Sequence, residues 1–216
     1  PDSFPIHAAG FNFPETGRKG LSPVVVEGRM GDFSFKVDES KKLYSTDFSI
    51  VVLVKDETGR VVQKLSNQYL LSGSLDKLEA AKRGQLLFYR EAELAPGRYS
   101  FEAVAYDAPS GKASVRTGKL EVPESDDANL RVSGVVIIKR AEKTTPNPKA
   151  GSPFQVGELI LYPNLGEAVN KSASKQLPFF FTLYLPDGAK TEPKLSIELR
   201  QNGKALARLP AELSAP

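Results

Sequence analysis

Cysteine and tryptophan are absent from the 216 residues, and histidine and methionine each occur once. Without thiols there can be no disulfide, no thiolate metal site and no cysteine nucleophile, which fits cytoplasm or a bacterial periplasm. With His7 as the sole histidine, a Ser-His-Asp triad or a two-histidine metal site has one place to be built. That place is an expected edge strand near the chain start with no carboxylate in an interpretable relation to it, so His7 reads as an ordinary strand histidine. No apolar run approaches the ~20 residues of a membrane-spanning helix. Charge of one sign is also lacking: up to Glu124 there are 17 basic and 17 acidic residues, and the net +3 is spread over the remainder. Phosphate recognition needs clustered Lys and Arg, so nucleic acid is not an expected partner. The opening Pro1-Asp2-Ser3-Phe4 carries neither an initiator Met nor a signal peptide, so the chain reads as a processed or excised piece of a longer protein.

What is abundant is strand and turn chemistry. From Gln85 to Pro123, Leu86, Phe88, Arg90, Ala92 and Leu94 alternate with Leu87, Tyr89, Glu91 and Glu93. Pro96-Gly97 and Ser110-Gly111 punctuate the stretch into three antiparallel strands, the first turn read as a Pro-Gly-Arg-Tyr hairpin. Residues 48–56 and 61–69 read as a Val/Ile-rich hairpin about Glu57-Thr58-Gly59-Arg60. Phe4–Phe13, Val24–Glu27 and Phe33–Val37 are further short strands, the first confined to an edge or bulge by Pro5 and Gly10. Residues 74–84 form the one expected helix, with Ser74 as its cap and Gly84 ending it in the left-handed conformation.

Glu124-Ser125-Asp126-Asp127 reads as a linker. Beyond it, strands are expected at 130–139, 157–164, 177–185, 194–201 and 204–213, the last two joined by Asn202-Gly203, a strong hairpin signal. The expected fold class is all-β: two tandem immunoglobulin-like or fibronectin-III-like antiparallel sandwiches, residues 1–124 and 125–216, with one short helix. The second lacks closing strands and so exposes edges that invite pairing, including pairing between two copies.

The patterns that carry chemistry are short. Ser74-Leu75-Asp76-Lys77 matches the S-x-x-K of serine acyl-transferases and Arg116-Thr117-Gly118 mimics their K-T-G, but no S-D-N element lies between them. Ser172–Lys175 matches S-x-x-K as well, in a loop. Pro109-Ser110-Gly111-Lys112 lacks the upstream glycine and the helix of a phosphate loop. Glu124, Asp126 and Asp127 lack the spacing of a calcium loop. Glu91 and Glu93 share a strand face and read as cross-strand partners for a basic residue. One stretch asks for a partner: in 177–185, Phe179, Phe181, Leu183 and Leu185 point one way, and Phe180, Thr182 and Tyr184 the other. A strand apolar on both faces is either central or at an interface, which makes Phe179, Phe180, Phe181 and Tyr184 the candidate interaction residues. Exposed aromatics also serve carbohydrate-binding modules, although tryptophan, the ring most used on sugars, is missing.

The stretches FPIHAAGFNFP, VVLVKDETGRVV, KRGQLLFYREAELAPGRYSFEAVAYDAPSGKASVRTGKLEVP and FQVGELILYPNLGE with LPFFFTLY resemble the region that follows the von Willebrand factor A domain in VWFA-related proteins of the acidobacterial type. The A domain's D-x-S-x-S adhesion site is not carried over, since Asp38-Glu39-Ser40-Lys41-Lys42 fails at the second serine. The resemblance implies an extracytoplasmic accessory region of a longer bacterial protein. The expectation is a non-enzymatic structural or protein-interaction module without cofactor or metal, whose partner is another protein or a neighbouring domain of the same polypeptide. The alternative is a carbohydrate- or peptidoglycan-binding module.

Overall fold

The structure, a computed structural model, describes residues 1–144, 152–169, 176–186, 188–189 and 193–209. The fold is all-β, with a single short α-helix among the described residues. One sheet takes β1 (Ile6–Gly10), β2 (Leu21–Arg29) and β6 (Gln85–Glu93) in the order β1-β2-β6. The facing sheet takes β3 (Lys36–Asp38), β4 (Leu43–Lys55), β5 (Val61–Ser74), β7 (Gly97–Asp107) and β8 (Lys112–Val122). β4 is its spine: β5 pairs along its whole length on one side, while β7 and the short β3 share the other, and β8 lies beyond β7.

Alternation builds the core between these sheets. Phe48, Ile50, Val52 and Val54 of β4 face inward with Leu86 and Phe88 of β6 and Val24 and Val26 of β2, and all are buried. Side chains of period two place every second residue on one face, so residues with no charge between them form one continuous apolar layer. Phe33, Phe48 and Tyr69 stack in series, with centroids 4.3 and 4.8 Å apart. Gly118 pairs with Phe101, and a Cβ there would lie 2.3 Å from the phenyl ring, so the ring occupies the side-chain space of its neighbour.

The β4–β5 turn forms as expected. Asp56 Oδ1 accepts from the Thr58 amide (3.0 Å), the Thr58 hydroxyl (2.6 Å) and the Arg60 amide (3.1 Å), and Gly59 takes φ +82°. These bonds, the Thr58 hydroxyl's above all, hold the Asp56 carboxyl below the usual carboxylate range. At the β7–β8 turn the buried Asp107 accepts from the Ser34 hydroxyl (2.6 Å), the Ser34 amide (3.2 Å) and the Ser110 hydroxyl.

The Pro96-Gly97 segment is not a hairpin. β6 belongs to one sheet and β7 to the other, so Leu94–Gly97 carries the chain across the sandwich. The Tyr99 hydroxyl donates to the Ala95 carbonyl (2.7 Å) and braces this crossing, the tyrosine-corner arrangement of immunoglobulin-like sandwiches. The helix also departs from expectation. A 3-10 turn at Leu75–Lys77 leads into α1 (Leu78–Lys82). Ser74 ends β5 and makes no side-chain cap bond, the Leu75 amide donating instead to the Lys42 carbonyl (2.8 Å). Gly84 is not left-handed; its amide donates to Ala81 and its carbonyl accepts from Met30.

Beyond the linker, β10 (Val136–Lys143) lies between β12 (Leu159–Pro163) and β13 (Phe179–Phe180), with β11 (Gln155–Val156) outside β12. β9 (Arg131–Val132) pairs with β14 (Leu183–Tyr184), and β15 (Ile197–Gln201) pairs with β16 (Lys204–Leu209) alone among the described residues. Positions 210–213 of the last expected strand lie outside the described residues. The core of this half straddles the linker. Phe13, Leu21 and Val25, on the outer side of the first sheet, pack with Val136, Ile138, Phe154 and Leu165. The β1-β2-β6 sheet is thus covered on both faces. This is why Tyr89, on its outward side, is half-buried against the Phe154 ring at 6.3 Å.

Candidate functional site

Two expected strands are each broken, and the breaks meet. Residues 130–139 split into β9 and the start of β10, and 177–185 into β13 and β14. Val132 pairs with Leu183 and Val136 with Phe180, so three residues, Ser133 to Val135, oppose two, Phe181 and Thr182. One extra residue makes a bulge, which bends the strand and frees backbone groups for other partners. Here Ser133 and Thr182 exchange bonds across the gap (3.0 and 2.9 Å), and the Gly134 amide donates to the Asn12 carbonyl (3.2 Å) in the first half.

Below the bulge sits Arg131, whose side chain is 3% exposed. Its guanidinium donates to the Thr16 hydroxyl (3.0 Å) and the Glu15 carbonyl (3.4 Å), and pairs with Asp127 (2.9 Å). The guanidinium carbon lies 5.7 Å from the Tyr184 ring centroid. One planar, permanently charged fork therefore ties together the 14–18 loop, the linker, β9 and β14. Burial, with the Glu15 carboxylate second, pushes the Tyr184 hydroxyl up to about 12. Burial likewise raises the Glu15 carboxyl against the opposing pull of Arg18. Lys139 makes a second tie, between Glu27 of β2 and Glu167 (2.9 Å). Its burial alone would depress the ammonium, but the bonds to the two carboxylates outweigh it and raise the group. Arg131 carried no sequence signal, since Leu-Arg-Val-Ser reads as any polar-punctuated strand. A shallow cleft of about 540 Å³ runs beside it, lined by the Glu124–Asp126 linker, Pro14, Pro123 and Leu130.

The candidate interaction residues fall around this junction rather than along one strand. Phe180 packs into the second core, 6.4 Å from Phe13. Tyr184 lies under Arg131. Phe179, 44% exposed, and the half-buried Phe181 stack with rings 6.3 Å apart and 11° from parallel.

The other motifs resolve into structure. Ser74 pairs with Leu43 at one end of β4, whereas Thr117 aligns through Glu102 and Leu53 with Lys64, ten residues away along β5. At ~3.3 Å per residue and ~4.8 Å per strand, the S-x-x-K serine and the R-T-G element are tens of ångströms apart. The second S-x-x-K, 172–175, lies outside the described residues. His7 sits on the edge strand opposite Glu27. Glu91 and Glu93 pair with Arg18 (2.7 and 3.5 Å), and Glu91 also accepts from the Tyr89 hydroxyl (2.7 Å). Asp126 Oδ1 accepts from the Ala128 and Asn129 amides as a linker turn, and Asp127 binds Lys19 (2.9 Å) as well as Arg131. Asp38 accepts from the Ser40 hydroxyl and the Lys41 amide, a strand-end turn. Among the described residues no group of three His, Asp or Glu side chains could hold a metal ion, and no helix is long and apolar enough to cross a membrane.

No protein-family model matches the chain, and no curated protein matches it.

Proposed function

We propose that this chain is a non-enzymatic structural and protein-interaction module, a stiff two-part β connector within a larger bacterial extracytoplasmic protein. The buried Arg131, hydrogen-bonded to the 14–18 loop and ion-paired with Asp127 of the linker, carries the reading. A shared apolar core and a desolvated guanidinium are costly to separate, so such a junction transmits position instead of hinging. The extracytoplasmic placement follows the resemblance to VWFA-related proteins, with the connector holding an adhesion domain away from its anchor. Calorimetry tests the stiffness: one unfolding transition is expected for both halves, and two independent transitions in the unaltered protein would overturn it. A hydrolytic activity abolished by Ser74→Ala or His7→Ala would remove the non-enzymatic part.

The parallel, partly exposed rings of Phe179 and Phe181 favour a second reading, a flat platform for a sugar ring. Binding on a glycan or peptidoglycan array that Phe179→Ala removes would support it, and an empty array would eliminate it.

A further inference from the structure

We propose that Asn202 is a site of spontaneous deamidation, and that its conversion to isoaspartate unlatches the β15–β16 hairpin. Seven asparagines occur in the chain, and only Asn202 is followed by glycine. The structure separates it further from the others. Asn12 donates to the Leu21 carbonyl (3.3 Å), Asn67 accepts from Arg90 (3.1 Å) and Asn129 donates to Asp126 (3.1 Å). Asn164 donates to the Glu167 carbonyl (3.0 Å) and accepts from the Gly166 amide (2.9 Å). Those four carboxamides are held, and each is followed by Phe, Gln or Leu. Asn202 is exposed, and its carboxamide makes no hydrogen bond among the described residues. The Gly203 amide is equally unengaged, and open space surrounds its Cα where a side chain would stand.

A free carboxamide beside an unhindered backbone nitrogen is the reactive pair of asparagine lability. The Gly203 nitrogen attacks the Asn202 Cγ. A C–N bond forms, the bond to the carboxamide nitrogen breaks, and ammonia leaves with the proton lost by the Gly203 amide. Water then opens the five-membered imide at either carbonyl, giving aspartate, or isoaspartate when the backbone comes to run through the side-chain carboxyl. No electrons are exchanged, and water is the only co-reactant. Ring closure asks Asn202 to leave its left-handed conformation (φ +50°), so the reaction proceeds when the hairpin opens. That opening is within reach, because β15 and β16 pair with each other alone among the described residues, and a lone two-stranded hairpin is marginal in water. Glu198 steadies it through Arg200 (2.8 Å) and Arg208 (3.0 Å). Isoaspartate adds a carboxylate and one backbone carbon between Gln201 and Lys204. A two-residue turn built on positive φ at both central positions, here +50° and +79°, has no place for that carbon. The strand register of Gln201 with Lys204 is then lost.

Incubation of the 216-residue chain in warm neutral buffer tests the site, with an isolated peptide of residues 198–208 as the clock. Over several half-times of the peptide, peptide mapping is expected to show the mass gain of an amide-to-acid exchange at Asn202, with isoaspartate labelled by an isoaspartyl methyltransferase. Asn12, Asn67, Asn129 and Asn164 are expected to remain amides. Asn202→Gln, which would need a larger ring, is expected to abolish the label. Glu198→Ala removes both hairpin ion pairs and is expected to speed conversion about threefold. In the converted chain, NMR contacts between Glu198 and Arg208 are expected to be lost. Asn202→Asp, which adds the same charge without lengthening the backbone, is expected to keep them. An Asn202 that stays an amide throughout, or conversion of Asn12 and Asn164 at an equal rate, would overturn the assignment of the site. A rate unmoved by Glu198→Ala would overturn the opening step, and cross-hairpin contacts that survive conversion to isoaspartate would overturn the unlatching.

Discussion

Arg131 places its guanidinium over the Tyr184 ring at 5.7 Å while donating to Thr16 and forming an ion pair with Asp127, and it does so with almost none of its side chain in water. Breaking a buried charged network leaves partners uncompensated, which costs about 3–5 kcal/mol. Arg131→Ala is therefore expected to destabilise the chain by about 3 kcal/mol and to split the unfolding into two transitions. Arg131→Lys keeps the charge without the planar fork and should recover little. Asp127→Ala, at the exposed end of the pair, should cost far less. Chemical denaturation of the three variants checks the order.

Tyr184 predicts a pH dependence. Its folded-state pKa, about 12, stands above the ~10 of a free tyrosine, so the folded state favours the neutral phenol. The stability this adds is fully present below pH ~10 and is lost as pH rises through about 12. Burial raises the Tyr89 and Tyr162 phenols too, so tyrosinate absorbance should show several phenols titrating late, and Tyr184→Phe should remove one of them.

The crossing between sheets depends on Tyr99. Tyr99→Phe deletes one hydrogen bond to the Ala95 carbonyl and is expected to cost about 1 kcal/mol in urea unfolding.

Gly118 tests the packing of Phe101. A methyl group 2.3 Å from that ring cannot be accommodated, so Gly118→Ala should cost about 1–3 kcal/mol. Phe101→Leu in the same chain should return part of the loss, read as a non-additive double-mutant cycle.

Asp107 joins the strand-to-strand segment at Ser34 to the β7–β8 turn. Asp107→Ala leaves the Ser34 amide and hydroxyl unpaired in a half-buried site, at a cost of about 1–3 kcal/mol. A lowered melting temperature with an unchanged far-ultraviolet spectrum is the expected result.

Legibility of the sequence followed the range of the forces involved. β4, β6, β7 and β8, the Asp56 turn and the Asn202-Gly203 turn (φ +50° and +79°) were readable because alternation and turn chemistry act within a few residues. β2 is longer than the expected Val24–Glu27, and Pro23 lies inside it. In the structure its carbonyl still accepts from Phe11, and the strand runs from Leu21. Ser74 looked like a helix cap because cap and strand-end residues have the same composition. Pro96-Gly97 looked like a hairpin because a turn within a sheet and a crossing between sheets use the same residues.

Strand identity, the half-buried faces and the emptiness of the motif list were therefore set by the amino-acid order alone. Which strands share a sheet, the burial of Tyr89, the one-residue bulge at Ser133–Val135 and the role of Arg131 were decided only by tertiary contacts. Each of these depends on residues far apart in the chain, Phe13 with Phe154 or Thr16 with Arg131, and period-two patterning records which face of a strand is apolar without recording what covers it.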